Sequence, residues 1–207
     1  MAAAAAGWHG KLPTLGDFAS RRLSPSFIEA WDRWLSEELD GLKRADPAGW
    51  LPAYLDSPVW RFVLMPGALP GAAGRHAWAG VLMPSVDRVG RYFPFTIAHP
   101  LVPRPDGTPP GCSLLDWLQR LDGAAADALH DDWSVERLEA ELLRLPPPLI
   151  DALPAGDRVN NAFWHAAPPE GEPRSLASPG LPRAGQFSAL LGGGPASSAG
   201  APWFVGV

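Results

Sequence analysis

The sequence has almost no cysteine. Cys112 is the single one in 207 residues, so no internal disulfide can form, and a reducing compartment fits. No apolar run reaches the ~18 residues that a membrane-spanning helix needs. Basic clusters are missing too. The pairs Arg21-Arg22 and Lys43-Arg44 are the largest in a chain of net charge −5, whereas a nucleic-acid face needs a basic stripe to neutralise phosphates. No basic stretch precedes the alanine run Ala2–Ala6, and the first lysine is Lys11. The start is therefore not expected to be a secretory signal, and residues 1–6 are expected to form a disordered tail. Phosphate-cradling glycine motifs, H-x-x-x-H and C-x-x-C pairs are all missing, so no cofactor and no metal is expected.

What is present is apolar bulk and chain punctuation. Ten Trp and eight Phe supply large core groups, and 25 Pro with 22 Gly predict many loops. A domain of this length buries roughly 70% of its unfolded surface. The chain divides into a tail at 1–6, one domain at 7–191, and a Gly/Pro/Ser linker with an apolar end at 192–207.

Helix signals are clear at three places. Ser24-Pro25 opens an amphipathic helix with Phe27, Trp31, Trp34, Leu35 and Leu39 at spacings of three and four. Ser113 opens a second, which Asp122-Gly123 is expected to break or kink, and Ser134 opens a third, stopped by Pro146-Pro147-Pro148. A shorter helical turn near Trp50 is expected to be interrupted by Pro52. A short final helix is expected at 186–191. Strand candidates are Trp8–Leu12, Val59–Met65 and Asn161–Ala166, while Pro168–Pro182 reads as a surface loop. Helices cluster while strands fall between and after them. This predicts an α+β fold, an α/β sandwich with a largely antiparallel central sheet and helices packed on its faces.

The most structured stretch is WAGVLMPSVDRVGRYFPFTIAHP at Trp78–Pro100. Two apolar arms, Trp78–Met83 and Tyr92–Ala98, are β-branched or aromatic and predict paired central strands. Between them lie Asp87, Arg88, Val89, Gly90 and Arg91. Two readings of this loop stand side by side. In one, Asp87 pairs with Arg88, Arg91 or a backbone N–H in an ordinary turn. In the other, the charges are presented to a protein partner.

Catalytic readings are weaker. Ser85, Asp87 and His99 include the residue types of a hydrolytic triad, but Ser85 lacks the G-x-S-x-G elbow. Nothing around Cys112 signals a lowered thiol pKa, and it is expected to be a small buried or half-buried thiol. A small hydrolase using Ser85 or Cys112 stays an alternative.

Several ordered blocks resemble one family. They are GKLPTLGDF at Gly10–Phe18, FIEAWDRWL at Phe27–Leu35, SPVWRFVLMPG at Ser57–Gly67 and WAGVLMPSVDRVGRYFP at Trp78–Pro94, with weaker echoes at Asn160–Ala166 and Gly180–Pro182. Together they are similar to TagF, also called ImpM, an accessory family of bacterial type VI secretion. The resemblance implies a cytoplasmic, non-enzymatic, post-translational repressor of type VI secretion that binds the forkhead-associated scaffold protein. It implies no catalytic residues. Asp17, Asp87, Arg88 and Arg91 are the candidate partner-binding or signature residues. A structural component of the secretion apparatus is a further alternative.

Overall fold

Ser24 starts the longest helix: its hydroxyl accepts from the Phe27 N–H, and Pro25 follows where no N–H is needed. Helix α1 runs Pro25–Ala45, with Lys43 and Arg44 beside its last carbonyls. The computed structural model describes residues 5–109, 111–151, 160–168, 170 and 172–193. Around α1 the chain forms α2 at Trp50–Leu55, a 3-10 turn at Gly71–Arg75, α3 at Leu114–His130, α4 at Val135–Arg144 and α5 at Gly185–Leu191. The strands are β1 (Gly7–Gly10), β2 (Ala19–Arg21), β3 (Trp60–Leu64), β4 (Trp78–Met83), β5 (Phe95–Pro100), β6 (Val102–Pro103), β7 (Leu149–Ile150), β8 (Asn161–Ala166) and β9 (Arg174–Pro179).

Seven strands form one sheet in the order β2-β1-β5-β4-β3-β8-β9, antiparallel at each pairing. The two arms of Trp78–Pro100 pair as β4 and β5, and β4 is the central strand. β6 and β7 form a separate short parallel pair. Side chains alternate between two cores. Trp60, Phe62, Leu64, Trp78, Leu82 and Trp164 face α1, α2 and α5, while Val63, Ala79, Val81, Phe95 and Ile97 face α3 and α4. The fold is thus the expected α+β sandwich.

Five local expectations need correction. Pro52 does not interrupt α2: it sits in the first turn, where its missing N–H has no intrahelical partner to lose. Asp122-Gly123 does not break α3. Leu118, Leu121, Ala125 and Ala128 are buried on either side, which outweighs the ~1 kcal/mol propensity cost of one glycine. The second arm begins as a strand at Phe95, not Tyr92, because Pro94 has no N–H for the ladder; Tyr92 instead makes an isolated bridge to Val86. The Pro168–Pro182 segment contains β9, an edge strand. Leu176 and Ser178 are its buried residues and Pro179 closes it, so its sequence resembles a loop.

Finally, the expected tail does not extend to Ala5 and Ala6. Both are buried, and the Arg22 guanidinium donates to their carbonyls. Residues 1–4, most of the predicted linker and the apolar segment 203–207 lie outside the described residues.

Candidate functional site

β4 ends at Met83, and the chain then turns at 84–94 before entering β5. Asp87 organises that turn. Its Oδ1 accepts the N–H groups of Val89 and Arg91 at 3.0 and 2.9 Å. Its Oδ2 accepts Lys11 Nζ at 2.9 Å and Arg91 Nε at 2.7 Å. The Gly90 N–H bonds the Asp87 carbonyl at 2.9 Å, and Gly90 takes the positive φ of 81° that this closure requires. A short polar acceptor two residues before the donor N–H is the usual chemistry of an Asx turn.

A second loop, between β1 and β2, is sewn onto the first. Arg88 N–H donates to the Leu15 carbonyl at 3.0 Å, Arg91 Nη2 to the Gly16 carbonyl at 2.5 Å, and Ser85 Oγ to the Lys11 carbonyl at 2.7 Å. Beneath both, Tyr54 of α2 accepts from the Ser85 N–H at 2.8 Å and donates to its carbonyl at 3.0 Å. Burial pushes the Tyr54 phenol well above its ordinary range, against the opposing effect of the Ser85 hydrogen bond.

Burial separates the four candidate residues. The Asp87 side chain is 0% exposed, Arg91 52% and Asp17 81%. Arg88 is exposed and only its backbone is engaged; its guanidinium has no acidic partner among the described residues. Arg91 also approaches Asp17 at 3.6 Å. Desolvation pushes the Asp87 carboxyl up. The bonds from Lys11, Arg91 and the Val89 and Arg91 N–H groups outweigh it and hold the group well below the carboxylate range. The structure therefore brings Asp17, Asp87, Arg88 and Arg91 together, with Asp87 as the buried brace.

The sequence reading missed Lys11. A lone lysine between the buried residues Trp8 and Leu12 was the available signal, because a lysine there needs a buried anion. Phe18 was also passed over as a site residue. It is 45% exposed, while its ring packs edge-on to Phe93, stacks on His9 and lies under Lys11 Nζ at 4.9 Å. Val89, at the tip, is 64% exposed. At the same end of β4, a shallow groove of about 460 Å³ is lined by Met83, Ala126, Asp127, Leu129 and His130.

The residues of the triad reading are engaged elsewhere. Ser85 Oγ binds Lys11, Asp87 binds Lys11 and Arg91, and His99 Nδ1 lies 2.7 Å from the Pro100 carbonyl. Ser85 accepts from the Phe93 N–H, and His99 is six residues further along the chain, roughly 20 Å at strand rise. Cys112 is exposed, against the expectation of burial, because it lies in the Pro/Gly-rich connection before α3. Among the described residues no group of three or more His, Cys, Asp or Glu comes together as a metal site, and no helix is long and apolar enough to cross a membrane.

The two interlocked loops lie inside a stretch that a family model recognises. The model for the TagF N-terminal domain, described as type VI secretion system-associated, matches residues 7–145. The chain belongs to the TagF family. The TagF match takes in β1 through α4 and every residue of the Lys11–Asp87 clasp. No protein of curated function matches the chain. Among solved structures, the chain is similar to the crystal structure of PA0076 from Pseudomonas aeruginosa PAO1. The two share 31% identity over 95% of this chain and 98% of that one, with a TM-score of 0.71.

Proposed function

We propose that this TagF-family protein is a cytoplasmic, non-enzymatic negative regulator of type VI secretion that acts by binding the system's forkhead-associated scaffold. Family membership supports a type VI secretion role. The observation that carries the interaction reading is the clasp. A buried Lys11–Asp87 pair fixes two loops that leave Phe18, Arg88 and Val89 exposed. Rigid loops carrying exposed aromatic, aliphatic and Arg side chains lose little entropy on docking. The test has two parts. The purified scaffold is titrated with the full chain, and secretion is measured in cells lacking or overproducing the protein. Binding together with raised secretion on deletion supports the reading. No binding, or secretion unchanged by deletion, removes it.

A further inference from the structure

We infer that the open edge of β9 is covered by the chain's own segment 203–207, added to the sheet as a further strand. β9 is the last strand of the seven, and it pairs with β8 alone, residue for residue from Asn161↔Pro179 to Ala166↔Arg174. Two backbone bonds fix which way the ladder faces. Met65 N–H donates to the Asn161 carbonyl, so the odd-numbered residues of β8 bond β3. Gly180 N–H donates to the Asn160 carbonyl, so the even-numbered ones bond β9. In an antiparallel ladder, bonded pairs alternate with pairs whose backbone groups turn away. Ala162↔Ser178, Trp164↔Leu176 and Ala166↔Arg174 are therefore the bonded pairs. The N–H and carbonyl groups of Ser175 and Ala177 point outward, and no described residue bonds them there. Pro179, which has no N–H to leave unpaired, takes the next outward position.

This edge carries few of the usual guards against a further strand. Its register is unbroken, so no bulge bends it away, and it holds no Lys, Asp or Glu. Its one charge, Arg174, turns inward to the Ala189 carbonyl and the Trp60 ring. The opposite edge, β2, is only three residues long and ends on Arg21. The chain also holds a strand-forming occupant. Segment 203–207 reads WFVGV, uncharged, with Trp203, Phe204, Val205 and Val207 all strand-favouring. Its tether is long enough. α5 passes the start of β9, where Arg174 bonds Ala189, and the described chain ends at Gly193. The nine residues 194–202 are Gly, Pro, Ser and Ala. They span up to about 30 Å, against about 20 Å for a strand of this length. A tether of that length holds the segment at about millimolar local concentration, so the edge meets it ahead of a partner's strand.

The experiment follows amide exchange by NMR on the full chain. Wild type is compared with Phe204→Pro and Val205→Pro, one of which must remove a ladder N–H because successive N–H groups alternate in direction. Ser197→Pro places the same residue in the tether as a control, and the β4 amides report whether each variant is folded. Ser175 and Ala177 amides are expected to exchange slowly in wild type and in Ser197→Pro. They should exchange about 10-fold faster or more in at least one of the other two. A second measurement keeps the folded sheet intact. With Cys112→Ser and Ala177→Cys in place, each position of 203–207 is changed to Cys in turn and the protein is air-oxidised. Facing residues on adjacent strands lie about 4.5–5.5 Å apart, within disulfide reach, so at least one combination should close a bond within a single chain. Fast exchange at Ser175 and Ala177 in wild type overturns the inference. So does slow exchange that both strand variants keep, or the absence of any cross-link within one chain. A cross-link that forms only between chains assigns the edge to a second copy and overturns it too.

Discussion

Lys11 Nζ donates to Asp87 Oδ2 at 2.9 Å with both side chains shut away from solvent, at 4% and 0% exposure. The two residues come from different loops, so the pair fixes one loop against the other. A buried charge pair persists when its remaining lone pairs are satisfied, and here Arg91 and two backbone N–H groups complete the carboxylate. Removing the acid leaves an ammonium in an apolar setting, whereas removing the base leaves the carboxylate with three donors. Asp87→Ala should therefore lower the melting temperature more than Lys11→Met. Lys11→Met/Asp87→Ala should lose less than the sum of the single changes. Additive losses in that cycle would show that the pair is not coupled.

The same carboxylate gives an acid signature. Its folded-state pKa lies below the usual 3.8, so its contribution is present above that value and is lost as the pH falls below it. Denaturant titrations between pH 5 and 2, comparing wild type with Asp87→Asn, should show a shallower acid decline in the variant. Parallel curves would mean the carboxylate is not held low.

Tyr54 satisfies both the N–H and the carbonyl of Ser85 from a fully buried position. Tyr54→Phe keeps the ring and orphans two backbone groups, each costing about 1–3 kcal/mol when buried. The expected loss in unfolding free energy is about 2–4 kcal/mol. A loss under ~0.5 kcal/mol would mean that water replaces the hydroxyl.

Arg88→Ala and Val89→Ser should leave unfolding free energy within about 0.5 kcal/mol of wild type, since both side chains project from an already pinned backbone. A larger loss would reassign the tip to architecture and weaken its role as a docking surface.

Much of this arrangement was legible in the sequence, because local signals and tertiary demand agree there. Ser24-Pro25, Ser113 and Ser134 each cap the helix that follows. The arms of Trp78–Pro100 pair as written, apart from the shift that Pro94 imposes. β9 was not legible: an edge strand buries few side chains, and its serines and prolines carry loop statistics. Gly123 misled for the opposite reason, since a local preference was overridden by packing on both sides. At the site, Asp87 and Arg91 were found because their spacing is local. Lys11 was missed because its partner lies 76 positions away, and no periodicity reports such a pairing.

Gly80 sits at the middle of the central strand. A Cβ there would meet the Ile97 carbonyl oxygen at 2.0 Å and Phe62 Cζ at 2.9 Å. The backbone oxygen belongs to the paired strand β5 and cannot rotate away as a side chain can. Gly80→Ala should therefore destabilise by about 3 kcal/mol or more, at the upper end of overpacking costs. Gly123→Ala meets open space on exposed α3 and should stabilise by up to about 1 kcal/mol through helix propensity. Equal effects from the two would show that the strands separate freely at Gly80.

Three histidines are buried or part-buried, and all are shifted in one direction. Desolvation lowers His9, against the opposing pull of Asp32; it lowers His99, against the Pro100 carbonyl; and it lowers His165, with Arg61 adding to the shift and Asp122 opposing it. A histidine whose folded pKa lies below 6.5 is neutral in the native protein while the unfolded chain still takes up a proton. The unfolded state then binds more protons, so stability rises with pH through that window and falls as the pH drops below about 6.5. His9 should contribute. Its ring packs against Phe18 and Phe93, Asp32 Oδ1 is 3.5 Å from Nε2, and neither ring nitrogen makes a hydrogen bond. Urea unfolding at pH 7.5 and 5.5 should show a clear loss for wild type and a smaller loss for His9→Phe, whose ring keeps the aromatic packing and cannot titrate. If His9→Phe loses as much as wild type, the acid sensitivity comes from His99 and His165 instead.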